Sequence, residues 1–120
     1  MDLGEYRGTG SEKQRVADLM SLLPHDMNSV LDVGARDGFI SRELTKYSRT
    51  VTALDLEAPV IDHEKIRCVK GDVTALSFPD AFFDLVLCTE VLEHIPSDLL
   101  GRACDELGRV SGEYLIIGVP

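Results

Sequence analysis

The chain contains no tryptophan, and only 6% of its 120 residues are aromatic. Cysteine is scarce: Cys68, Cys88 and Cys104 stand far apart, with no Cys-x-x-Cys pair. That spacing provides neither a disulfide framework nor a zinc pattern, and fits reduced, mostly buried thiols. No apolar run approaches the ~20 residues of a membrane-spanning helix; Leu115-Ile116-Ile117 is only strand-length. The N-terminus, Met1-Asp2-Leu3-Gly4-Glu5, lacks a basic segment followed by an apolar one. No signal peptide is visible, so a cytoplasmic address and no membrane partner are expected. Basic residues are outnumbered, 12 against 21 acidic, giving a net charge of −9. An acidic surface repels phosphate backbones, which argues against a nucleic-acid partner. Repeats, low-complexity tracts and interdomain linkers are also missing. One domain over residues 1–120 is therefore expected, with residues 1–28 as an N-terminal helical segment.

What is present is concentrated in Ser29-Val30-Leu31-Asp32-Val33-Gly34-Ala35-Arg36-Asp37-Gly38-Phe39-Ile40. An apolar, β-branched run carries an aspartate, then turns through glycines into an amphipathic stretch. The pattern predicts strand, loop and helix start. Glycine permits a sharp turn and close approach to a ligand because it has no Cβ. A carboxylate at the strand end can accept hydrogen bonds from a cationic or hydroxyl-bearing group. Such a site suits a nucleoside with a charged amino-acid tail. The dinucleotide fingerprint Gly-x-Gly-x-x-Gly fits poorly, because Gly34 and Gly38 are separated by Ala35-Arg36-Asp37.

Leu31-Asp32-Val33-Gly34-Ala35-Arg36-Asp37-Gly38 resembles the first motif of the class I S-adenosylmethionine-dependent methyltransferases, (Val/Leu)-Leu-Asp-x-Gly-x-Gly-x-Gly. The middle glycine is replaced by Arg36. The arginine can obstruct the loop, pair with the cofactor's carboxylate, or point to solvent. Phe83-Asp84-Leu85-Val86-Leu87-Cys88-Thr89-Glu90-Val91-Leu92-Glu93-His94 resembles a second family pattern, Phe-Asp-x-Val-x-x-x-x-Val-Leu-(Glu/His)-His.

Periodicity sets out the order of elements. Helices are expected over Ser11 to Leu23, Phe39 to Tyr47, and Pro96 to about Arg109, with a short turn over Ala58 to Ile61. Ser11 can cap the first, and Pro24 stops it. Leu99, Leu100, Ala103 and Leu107 mark one face of the last. Strands are expected over Val30–Val33, Thr50–Asp55, Ile66–Val69, Phe83–Cys88 and Tyr114–Val119. Near-continuous apolar strands alternating with helices predict a doubly wound, mostly parallel α/β sheet. The resemblance implies a Rossmann-like methyltransferase fold, here truncated after the fifth strand. That strand is then an open edge, expected to self-associate or to need further chain.

In such sheets ligands lie beyond the carboxyl ends of the strands. The first loop offers Asp32, Gly34, Ala35, Arg36 and Gly38. Asp55, with Leu56 beside it, follows the second strand at a distance suited to ribose hydroxyls. The resemblance assigns Asp72 to the adenine amino group and the backbone of Val73 to its ring. It assigns Thr89 and Glu90 to the methionine portion. Each carboxylate also has a plain structural reading, as a solvated strand end at Asp55 or a turn cap at Asp72. Glu90 and His94 are four apart but lack a third ligand, so no metal site is expected. His94 is read as structural or as a substrate-side contact, and Asp84 as structural.

The resemblance implies a transferase: an S-adenosyl-L-methionine-dependent methylation of a small-molecule acceptor that the sequence does not identify. The alternative is a non-catalytic module of the same fold serving as a partner subunit. Cys88-Thr89-Glu90-Val91 replaces the Asn/Asp-Pro-Pro-Tyr/Phe motif of amino-directed nucleic-acid methyltransferases. No residue presents itself as a general base, so no catalytic residue is assigned.

Overall fold

Residues 10–118 are described by a computed structural model, with side chains from residue 13 onward. The strands are β1 (Met27–Val33), β2 (Ser48–Asp55), β3 (Ile66–Lys70), β4 (Phe83–Thr89) and β5 (Ser111–Gly118). They form one sheet in the order β3-β2-β1-β4-β5, with every neighbouring pair parallel. The helices are α1 (Gly10–Ser21), α2 (Phe39–Leu44) and α3 (Ser97–Val110). A 3-10 turn spans Leu92–His94.

The apolar runs are continuous because the central strands are covered on both faces. Leu85, Val86, Leu87 and Cys88 of β4 are all fully buried. Alternate side chains go to opposite sides, as the strand period of two requires. Val30, Leu85 and Leu87 pack with Val16 and Met20 of α1 and Leu44 of α2. Leu31, Val33, Val86 and Cys88 pack with Ala103, Leu107 and Val110 of α3 on the other face. The sheet is thus doubly wound, as the alternation of elements predicts.

Several boundaries differ from expectation. The helix expected through Tyr47 stops at Leu44, where the Thr45 hydroxyl donates to the Arg42 carbonyl at 2.6 Å and the chain turns into β2. Helix α1 ends at Ser21, whose hydroxyl donates to the Asp18 carbonyl at 2.6 Å. Residues 58–61 are not helical, because Pro59 disfavours the helical conformation at Ala58. Ile61 is buried there while Val60 is almost fully exposed. In α3 the buried positions are Ala103, Leu107 and Val110, and Leu100 is exposed. Strand β1 begins earlier than Val30, since Met27 pairs with Ser48. Strand β5 begins at Ser111 rather than Tyr114, with a register shift opposite Phe83–Leu85. The cap expected from the Ser11 side chain, and the strand end at Val119, lie outside the described residues.

Candidate functional site

The strand order reverses between β1 and β4, and their carboxyl ends part there to form a crevice. The loop after β1 enters the left-handed region at Gly34 (φ 80°), Arg36 (φ 53°) and Gly38 (φ 85°). Glycine adopts this conformation without a Cβ clash, whereas an arginine does so at a cost of about 1–2 kcal/mol. A Cβ on Gly34 would also overlap Val91 Cγ2, on the other side of the crevice. The loop is tied to β2 by the Gly34 and Ala35 amides, which donate to the Leu54 carbonyl at 2.8 and 3.1 Å.

Asp55 closes this arrangement. Its Oδ2 accepts the Arg36 amide at 2.9 Å, and its Oδ1 accepts the Leu56 amide at 2.9 Å. The carboxylate therefore shapes the first loop as well as facing the crevice. Asp32 is almost fully buried, with its Oδ2 accepting the Ser41 hydroxyl at 2.6 Å. Asp72 is exposed in a tight turn, where its Oδ1 accepts the Thr74 amide at 2.9 Å and hydroxyl at 2.7 Å. Those two bonds hold its carboxyl below the ordinary aspartate range. The turn-cap reading of Asp72 and its place at the crevice thus hold together.

Two cavities open along the strand ends. The first, of about 330 Å³, is lined by Asp55, Leu56, Asp72 and Val73, with an apolar wall of Val91, Ile95 and Leu99. The second, of about 250 Å³, is lined by Asp32, Ala35, Thr89 and Arg15. Gly34, Arg36 and Glu90 line both cavities and form their junction. Of the cofactor-site candidates named from the sequence, Gly38 alone lines neither. It is the N-cap of α2, where a Cβ would meet Ile61 at 2.6 Å.

The apolar wall went unnoticed in the sequence. Leu99 reads as a core position of α3, yet it faces the first cavity. His94 also lines that cavity, and its imidazole lies 3.6 Å from Glu93. Among the described residues, no group of three His, Cys, Asp or Glu side chains is placed to hold a metal ion. Asp84 links strands: its Oδ2 accepts the Asn28 amide at 2.7 Å.

A further cluster fixes the segment that carries Asp72 and Val73. The Arg109 guanidinium donates to the Leu76 carbonyl at 2.9 Å, the Phe78 carbonyl at 2.7 Å and Asp80 at 3.0 Å. It also pairs with Glu106 at 2.6 Å, while Glu106 Oε1 accepts the Leu76 amide at 2.7 Å. The Arg109 bond is the main cause of the lowered Glu106 carboxyl, ahead of the Leu76 amide. Arg109 and Glu106 thus pin the loop from β3 to β4 against the last turns of α3.

Comparison with known proteins agrees with this fold. Residues 31–116 match the model of a family described as "Methyltransferase domain". An uncharacterized methyltransferase of Mycobacterium tuberculosis is 33% identical over 84 residues, covering 64% of this chain and 43% of that protein. A malonyl-[acyl-carrier protein] O-methyltransferase of Pectobacterium atrosepticum is 33% identical over 118 residues, covering 92% of this chain and 43% of its own length. The chain thus spans less than half the length of these relatives. The N-methyltransferase NodS of Bradyrhizobium japonicum, solved with S-adenosyl-L-homocysteine, shares the fold. Its TM-score is 0.75 at 19% identity, over 87% of this chain and 58% of that one.

Proposed function

The chain belongs to the methyltransferase domain family, whose cofactor is S-adenosylmethionine, and from that premise we propose that its crevice binds this cofactor for methyl transfer to a small-molecule acceptor. The observation that carries the reading is the pair Asp55 and Asp72 on one apolar-walled cavity, joined at Gly34 to a second cavity lined by charged groups. The donor set fits. Two carboxylates beside apolar side chains suit a nucleoside with hydroxyls and an exocyclic amino group. Arg15, Arg36, Glu90 and Asp32 offer both charge signs to a zwitterionic tail. Gly34 has no Cβ, and this lets the first loop pack directly against Val91 across the crevice.

In this reading Asp55 receives the ribose hydroxyls, and Asp72 accepts from the adenine amino group beside the Val73 backbone. Thr89, Glu90, Asp32, Gly34 and Ala35 surround the amino-acid portion. When bound, the cofactor supplies a methyl group on a sulfonium, open to in-line displacement. The protein's task is then chiefly to hold the reacting groups in line and exclude water. Burial pushes the Cys88 thiol up to about 12, helped by the nearby Asp32 carboxylate, so it stays protonated and takes no nucleophilic part.

The acceptor reading rests on the net charge of −9 and on Thr89-Glu90-Val91 in place of a nucleic-acid-type motif. Two similar proteins bear O-methyltransferase names, for malonyl-[acyl-carrier protein] and for ubiquinone biosynthesis. Both names specify methylation on oxygen in those proteins. Strand β5 pairs only with β4 among the described residues, and exposes Tyr114, Leu115 and Ile117. We propose that its free side takes up a strand of a second copy.

Thermal melting tests the cofactor reading. S-adenosylhomocysteine at 100 times its Kd should stabilise the fold by about 2.7 kcal/mol. NAD should leave the midpoint unchanged. A shift with NAD alone would replace this function with a dinucleotide one.

A further inference from the structure

One ion pair stands where the two cavities meet. Arg36 Nη1 lies 3.5 Å from Glu90 Oε2, and Arg36 Nη2 donates to the Glu90 main-chain carbonyl at 3.3 Å. The pair therefore spans the crevice from the β1 loop to the end of β4. Both residues have left-handed backbone, at φ 53° and φ 57°. Neither is a glycine, and each such conformation costs energy that surrounding contacts must offset. Asp55 holds the Arg36 amide, and the Glu90 amide donates to the Gly118 carbonyl at 3.2 Å. On the far side, Arg15 pairs with Glu90 Oε1 at 2.9 Å. Glu90 thus keeps one cationic partner when Arg36 leaves. The Arg36 and Glu90 side chains are 40% and 26% exposed, so exchange of partners through water is open to them.

We propose that the Arg36–Glu90 pair is a latch across the crevice, opened by the amino-acid tail of the ligand through exchange of partners. The ligand's carboxylate takes over the Arg36 guanidinium, and its ammonium group takes over a Glu90 oxygen. A guanidinium is well matched to a carboxylate, because its fork donates two parallel bonds. Opening then costs little for a zwitterion, since each protein charge finds a new partner. A nucleoside without the tail that displaces the pair offers neither charge a new partner, so Glu90 keeps Arg15 while the Arg36 guanidinium is left uncompensated. The latch therefore selects for the amino-acid tail. The inference rests on the cofactor reading above and deepens it.

Titration calorimetry with two ligands tests it. S-adenosylhomocysteine carries the tail, and 5′-methylthioadenosine is a similar nucleoside thioether without it. The native chain should bind the first more tightly by at least about tenfold. In Arg36→Ala that preference should shrink by about tenfold, through weaker binding of S-adenosylhomocysteine and equal or tighter binding of methylthioadenosine. Arg36→Gly removes the same guanidinium while suiting the backbone at φ 53°, so it guards against a folding defect in the alanine variant. It should show the same loss of preference. Glu90→Gln should reduce the preference in the same direction. Equal weakening of both ligands in Arg36→Gly, or tighter binding of both by a common factor, would overturn the latch alone. Equal affinity of the native chain for the two ligands would do the same. Failure of both ligands to bind in every variant would overturn the cofactor reading and the latch with it.

Discussion

Replacing Asp55 by alanine removes a group with two roles, and their magnitudes can be separated. In the free protein its oxygens accept the Arg36 and Leu56 amides, each at 2.9 Å. Both donors belong to exposed residues, so water can replace the carboxylate. The net cost to folding is then about 1 kcal/mol. For a domain of this size that lowers the melting midpoint by roughly 4 °C. The contact with the first loop is the reason an effect on folding is expected. The binding cost is larger. A carboxylate bonded to ribose hydroxyls contributes about 1.5–3 kcal/mol, so S-adenosylhomocysteine should bind roughly 10- to 150-fold more weakly. Asp55→Asn keeps one acceptor oxygen but no charge. It should melt closer to the native midpoint while still losing much of the affinity. Paired melts and calorimetric titrations give both quantities. If Asp55→Ala melts lower yet binds within threefold of native, the carboxylate does not face the ligand.

Other tests reach different parts of the molecule. Because Thr74 holds the Asp72 carboxyl below its ordinary range, this contact contributes stability above the ordinary aspartate pKa. That contribution disappears as pH falls through the lower folded value. Thr74→Val removes the hydroxyl bond but not the amide bond. The Asp72 carboxyl should then titrate at higher pH by carbon-detected NMR, and an unmoved titration would discount the hydroxyl. Cys88 is buried and Cys104 exposed, so iodoacetamide at pH 8 should modify Cys104 and spare Cys88. Mass spectrometry showing equal labelling would mean that the β4–α3 packing opens readily. At the β5 edge, sedimentation should reveal concentration-dependent association, reduced by Ile117→Lys. A monomer across the micromolar range would remove the proposed strand pairing.

The order of elements was legible because each central strand is a short apolar run and each helix has a three-to-four spacing. Asp32, Asp55 and Asp72 were legible as site candidates for a local reason: each stands at or just after a strand. What was hidden depends on the third dimension. Arg36 and Glu90 are 54 residues apart, and nothing in either local pattern shows that their side chains meet. Leu99 and Leu100 are equally apolar, and only the seating of α3 turns one toward the cavity and the other to solvent. Periodicity carries α2 past Leu44, but the Thr45 hydroxyl ends it by satisfying a carbonyl of the last turn. Pro59 did offer a local signal against a helical turn at Ala58, and that signal outweighs the apolar spacing.

Hydrogen exchange with and without saturating S-adenosylhomocysteine tests the central claim most directly. The claim is that one ligand is held at the carboxyl ends of four strands, across the junction at Gly34 and Glu90. Amides at 34–38, 55–56, 72–74 and 89–91 should gain protection together, while those at 25–28 and 45–48 on the opposite rim remain unchanged. No protection at saturating ligand, or protection confined to that opposite rim, would contradict the account.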